Sequence, residues 1–134
     1  MFSLQIKYLS FFFGLISVLS FFNIIYSYYL NLYLNLDTYY LSLMISLIIS
    51  VLFYKIKTSD KKSSIFEKIL TVFFGYLLIP LILSIPFYFS IYNLTFLNSY
   101  FEAISGFTST GFTIFENIKH IDQSLILWRS TTQW

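Results

Sequence analysis

Three long runs of this chain carry no charged side chain, covering residues 8–30, 38–54 and 69–101. A bilayer core about 30 Å thick takes about 20 apolar residues of helix, within a range of about 17–25. The first run is long enough to cross. Lys7 precedes it as the basic flank of a signal peptide would, but the apolar part is too long and has no A-x-A-like cleavage site. It reads as a retained spanning helix. The second run is near the lower length limit, with Tyr39, Tyr40, Phe53 and Tyr54 at its ends, where interfacial aromatics sit. The third is too long for one helix and contains Pro80 and Pro86. It predicts a spanning helix over residues 65–89, kinked near one of the prolines, and then an exposed turn at Tyr92, Asn93, Leu94 and Thr95. Composition agrees with a lipid solvent. Hydrophobic residues make up 57% and charged residues 10%, against roughly 25% charged in soluble domains.

The charges that remain are unevenly placed. Lys55, Lys57, Lys61, Lys62 and Lys68 crowd the loop between the second and third spans, whereas the loop between the first two has Asn31, Asn35 and Asp37 but no Lys or Arg. The positive-inside rule puts the lysine loop and the amino terminus in the cytoplasm, so the segment from Tyr92 starts outside. The lysine run reads as a solvated loop, with a lipid or partner-protein contact as the alternative. The formal net charge of +2 does not argue for nucleic acid, and the absence of cysteine excludes disulfides and thiolate chemistry.

Residues 103–115 are also charge-free, but about 13 residues cannot cross a bilayer. They contain Gly106 and Gly111 among Ser105, Thr108, Ser109 and Thr110. A short apolar helix followed by Gly/Thr-rich backbone predicts a re-entrant loop, tolerated at membrane depth where protein or a water-filled cavity satisfies it. A cation filter makes the same demands. It replaces an ion's water shell with backbone carbonyls, needs glycine to turn them one way, and gains from a short helix aiming its negative end at the ion. Asn98 or Ser99 suits the N-cap of such a helix, Tyr100, Phe101, Glu102, Ala103 and Ile104 its body, and Gly106 its end. The filter then follows as Thr108, Ser109, Thr110, Gly111 and Phe112. The alternative is a plain glycine-containing loop between two membrane helices.

The stretch YFEAISGFTSTGFT at residues 100–113 resembles the first pore segment of the TrkH/KtrB family of potassium transporters, where the pattern is F-F-E-x-x-S-G-x-T-T-T-G-A-T. The later run LWRSTTQW at residues 127–134 is similar to the family's next segment, which ends in Q-W and continues with a Gly-Gly pair. The resemblance implies an all-α membrane protein with three spanning helices, a re-entrant pore helix plus filter loop, and the start of a further spanning helix near Gln123. Residues 1–57 are then two additional amino-terminal helices. Residues 58–134 are the first helix–pore loop–helix repeat, truncated in its second helix. Such a pore takes four repeats around a pseudo-fourfold axis, so Thr108, Ser109, Thr110, Gly111 and Phe112 would bind potassium as one quarter of a filter, with Glu102 and Gly106 in support. The chain alone is expected not to conduct. The resemblance further implies a bacterial inner-membrane location, a homodimer, a cytoplasmic TrkA-type nucleotide-binding regulatory subunit, and no cofactor beyond potassium as the transported substrate. Ser109 replaces a frequent Thr without changing the backbone carbonyl. Phe112 replaces a small residue, and could narrow the outer filter or pack behind it.

Other residues leave alternatives open. Glu102 either attracts cations and supports the filter through backbone N–H groups or is a solvated interfacial acid. Arg129 either pairs with Glu102 or a neighbouring repeat, or snorkels to the interface. Glu116 and Asp122 add negative charge outside the pore mouth, partly offset by Lys119. His120 has no ligand cluster and reads as a solvated loop residue. The clusters Phe11, Phe12, Phe13 and Tyr26, Tyr28, Tyr29 read as lipid-facing or interfacial. No phosphate loop, carboxylate pair or Ser/His/Asp set points to an enzyme.

Overall fold

The computed structural model describes residues 6–56, 64–117 and 120–133. Lys57, Lys61, Lys62, Lys119 and Trp134, and the expected domain boundary at residues 57/58, lie outside them. The chain is all-helical: α1 (Ile6–Tyr29), α2 (Leu36–Lys55), α3 (Ile65–Leu83), α4 (Ile85–Tyr88), α5 (Phe96–Phe107) and α6 (Gln123–Thr132). Among the described residues three spans are long and apolar enough to cross a membrane: Lys7–Tyr29, Leu36–Lys55 and Ile65–Tyr88, the last formed by α3 and α4 together.

α1 and α2 form an antiparallel pair joined by a tight turn. Asn31 adopts φ 56°, a left-handed conformation that Asn tolerates, and ends α1. The buried stripe of α1 includes Phe13, Ile16, Ser20, Asn23 and Ser27, at helical spacing. Opposite it stand Ser42, Ser46 and Ser50 of α2. Ser10 Oγ donates to the Ser50 carbonyl at 2.9 Å, Ser50 Oγ returns the bond to the Ser10 carbonyl at 2.8 Å, and Ser20 Oγ meets Ser42 Oγ at 3.2 Å. Small hydroxyl residues let membrane helices approach closely and bond across the contact. Phe13 departs from its cluster. It is buried, edge-on to Phe53 at 5.7 Å, while Phe11 and Phe12 are exposed.

The third span breaks at Ser84, just before Pro86, the second of the two prolines near which the sequence predicts a kink. Pro80 stays inside α3, and Pro86 sits in the first turn of α4. Pro86 has no N–H for the Ile82 carbonyl, so the α3 ladder cannot run on. The Leu83 carbonyl, free at the break, accepts the indole Nε1–H of the fully buried Trp128 at 3.1 Å. Trp128 also packs on Tyr39 at 5.9 Å, and Tyr39 Oη lies 2.9 Å from Ser124 Oγ. α2, the α3–α4 break and α6 thus meet at Trp128, in a core that also takes Leu9, Phe13, Ile16 and Ile24 from α1 and Ala103 from α5.

Polar side chains gather the chain at one end of the bundle. Asn35 Nδ2 donates to Asp122 Oδ2 at 3.2 Å, Asn35 Oδ1 accepts the Ile91 N–H at 3.2 Å, and Tyr92 Oη accepts the Asp122 N–H at 2.6 Å. Asp122 is buried and caps α6 through Oδ1 and the Ser124 N–H, so it is not free charge at a pore mouth. Tyr92 is likewise a partly buried anchor rather than an exposed turn residue.

Candidate functional site: a re-entrant loop braced by a buried ion pair

The start of α5 lies three residues earlier than its sequence suggests. Thr95 is the N-cap, its Oγ1 accepting the Asn98 N–H at 3.3 Å. Neither Asn98 nor Ser99 caps: Asn98 is the donor, and Ser99 is buried with its hydroxyl on the Thr95 carbonyl. The Thr95 cap allows Phe96 and Leu97 to open the helix. α5 has 12 residues, about 18 Å at 1.5 Å per residue, too short to span.

Aromatic contacts give its depth. Phe96 lies 6.4 Å from Tyr88 at the end of the third span, and Phe107 lies 5.3 Å from Tyr76, near the middle of that span. Between them Tyr100 Oη donates to the Leu77 carbonyl at 3.1 Å. The chain then climbs back, because Phe115 packs on Tyr92 at 6.0 Å. α5 thus descends to mid-span and the following loop returns to the same end. α6 descends again beside it.

The loop is tied to the carboxyl end of α5 by its own backbone. Thr108 N–H bonds the Ile104 carbonyl at 2.8 Å, Ser109 N–H the Gly106 carbonyl at 2.8 Å, and Thr110 N–H the Ser105 carbonyl at 3.1 Å. This turn requires φ 56° at Ser109, followed by φ 78° at Gly111. Gly111 meets the second demand without the penalty that a Cβ imposes there, and Ser109 adopts the first despite having one. Gly106 lies one residue before the end of the helix at Phe107, close to where the sequence puts that end. It is the crossing point of α5 and α6: a Cβ on Gly106 would collide with Thr132 Oγ1.

Behind the loop stands an ion pair. Glu102 is fully buried. Its Oε1 accepts the Thr113 hydroxyl at 2.7 Å and the Ile114 N–H at 2.6 Å, and its Oε2 lies 3.0 Å from Arg129 Nε. Arg129 Nη2 in turn donates to the Phe112 carbonyl at 2.7 Å and the Gly111 carbonyl at 3.3 Å. The Phe112 carbonyl also accepts Ser105 Oγ at 2.6 Å. Of the alternatives open for the two charges, solvated acid and snorkelling arginine both give way to a pair. A carboxylate at this depth is costly unless paired and hydrogen-bonded, and here it is both.

The five loop residues therefore divide. The carbonyls of Gly111 and Phe112 are held by Arg129. Those of Thr108, Ser109 and Thr110 accept no hydrogen bond from the described residues, and all five residues are exposed. The Thr108 and Thr110 hydroxyls turn back to the Ile104 and Ser105 carbonyls, and Ser109 Oγ donates to the Gln133 carbonyl at 3.2 Å. The Phe112 ring is exposed rather than packed behind the loop. His120 is exposed and takes part through its backbone carbonyl, which accepts Tyr92 Oη at 3.2 Å.

The chain is similar to an uncharacterized cation transporter of Methanocaldococcus jannaschii, 26% identical over 123 residues. The match covers 90% of this chain and 26% of that protein, so the chain spans about a quarter of the length of the curated relative it matches. No family model and no solved structure matches it.

Sequence reasoning missed Trp128, Tyr39, Asn35 and the structural role of Asp122. One signal was available for the first. A tryptophan in an apolar helix has an N–H that needs a partner, and a proline-broken helix supplies a free carbonyl.

Proposed function

We propose that this chain forms part of a monovalent cation pathway of the TrkH/KtrB potassium type, with residues 108–112 contributing one quarter of the filter. The observation that carries the reading is a run of three exposed residues, Thr108 to Thr110, at mid-span depth, whose carbonyls accept no hydrogen bond from the described residues. Bare carbonyls facing hydrocarbon cost several kcal/mol each, about the penalty of any unsatisfied polar group there, so they call for water, ions or further protein. A filter provides all three. In this reading Thr108, Ser109 and Thr110 present oxygens to the ion. Gly111 supplies the turn, and Phe112 anchors the loop through its carbonyl. The negative end of α5 adds a favourable field at the same place.

The similarity to a cation transporter supports the transport class. The potassium preference rests on the resemblance of residues 100–113 to the TrkH/KtrB pore segment. The same resemblance supplies the remaining pore repeats, a homodimer, a TrkA-type cytoplasmic subunit and a bacterial inner-membrane location, and the positive-inside rule puts the lysine loop on the cytoplasmic side. Expression in a strain lacking potassium uptake tests the reading. The longest reading frame carrying this chain is expected to restore growth at low potassium, and the 134-residue chain alone is not. Failure of the longer frame despite membrane insertion would sink the potassium proposal.

A further inference from the structure

We propose that Arg129 is the residue that fixes which loop oxygens an ion can reach. The inference rests on the filter reading above and adds a positioning role to it. One guanidinium touches a buried carboxylate through Nε and two successive carbonyls, Gly111 and Phe112, through Nη2. A cation already bound to these carbonyls competes with any transported cation for the same oxygens. Arg129 thereby removes two of the five carbonyls from the ion path and leaves a contiguous set of three. The carboxylate that holds Arg129 also holds the outgoing limb of the loop, through Thr113 Oγ1 and the Ile114 N–H. Both limbs of the brace come from rigid elements, Glu102 from α5 and Arg129 from α6.

Lysine cannot replace this arrangement. Its single ammonium group can approach the carboxylate or the carbonyls, but it lacks the planar fork that bridges both. Glutamine at 102 keeps a carbonyl oxygen for the Ile114 N–H but loses the charge that orients Arg129. R129K and R129M therefore release the Gly111 and Phe112 carbonyls, and E102Q loosens the same limb through its other end.

Two measurements test this. Amide hydrogen exchange of the full chain in lipid nanodiscs reads residues 108–117 directly, with the Ile114 N–H as reporter. R129K and R129M are expected to raise exchange there about tenfold, leaving α1 and α2 unchanged. The second measurement compares potassium with sodium uptake by the longest reading frame carrying the chain. R129K is expected to lower the potassium-to-sodium ratio about tenfold at unchanged membrane abundance, which a purely structural role would not do. Unaltered loop exchange in both variants, or an unaltered ion ratio in R129K, overturns the proposal. A wild-type frame that transports neither ion defeats the filter reading instead. The exchange data then still decide whether Arg129 holds the loop.

Discussion

The α1–α2 pair and the α5–loop–α6 unit both bury polar groups in a membrane setting, with opposite chemistry. In the first, the cross-helix contacts join neutral hydroxyls to each other or to helix carbonyls, as between Ser10 and Ser50. The Ser10–Ser50 bonds are reciprocal, at 2.9 and 2.8 Å, while Asn23 Oδ1 and Ser27 Oγ lie buried with no partner among the described residues. In the second, a fully buried carboxylate is paired with a partly buried arginine, and the carbonyls of three exposed residues accept no hydrogen bond from the described residues. Neutral hydroxyls suffice to align two helices. A buried ion pair is a poor source of stability, because desolvating two charges offsets most of their attraction. Its presence beside an irregular loop indicates positioning rather than simple packing.

This contrast is open to measurement. The largest effect is expected for E102A, which strands Arg129 and leaves the Thr113 and Ile114 donors without an acceptor. Removing one partner of a buried pair costs about 3–5 kcal/mol, read by denaturant titration in micelles. An effect no larger than that of a serine substitution in α1 would erase the distinction between the two regions. Next comes G106A, which drives a methyl group into Thr132 Oγ1. Overpacking of this kind costs about 1–3 kcal/mol, and adding T132A should recover most of it. If the double variant is as unstable as the single one, the close α5–α6 crossing is not what requires glycine. The smallest effect is expected for S10A and S50A, about 0.6 kcal/mol each, typical of interhelical hydrogen bonds in membranes. A double-mutant cycle should return a small positive coupling. A coupling above about 2 kcal/mol would make the hairpin as demanding as the loop.

The helical spans were legible because a charge-free run of spanning length has few other fates in water or lipid. Their ends shifted by a few residues, since caps depend on side-chain geometry that composition does not reveal. Thr95 rather than Asn98 caps α5 because its hydroxyl takes the Asn98 N–H, which brings Phe96 and Leu97 into the helix. The loop at residues 108–112 was legible as irregular backbone from its Gly/Thr content. Its internal division was not: nothing in the string of residues tells Thr110, with its carbonyl free, from Phe112, with its carbonyl taken twice. Glu102 and Arg129 stood out as opposite charges in apolar surroundings, but 27 residues apart they could have paired or reached water separately. Asn35 and Asp122 looked like loop polarity and proved to be buried ties between distant segments.

By itself, the sequence determined three helices long and apolar enough to cross a membrane, followed by a segment too short to cross. Charge exclusion and helix length decide those features locally, before any residue meets a distant one. The tertiary structure decided the rest. It set the mid-span depth of the loop, the glycine-dependent crossing of α5 and α6, and the sharing of one arginine between a carboxylate and two carbonyls. Those outcomes depend on distances between residues far apart in the chain, and only packing fixes such distances.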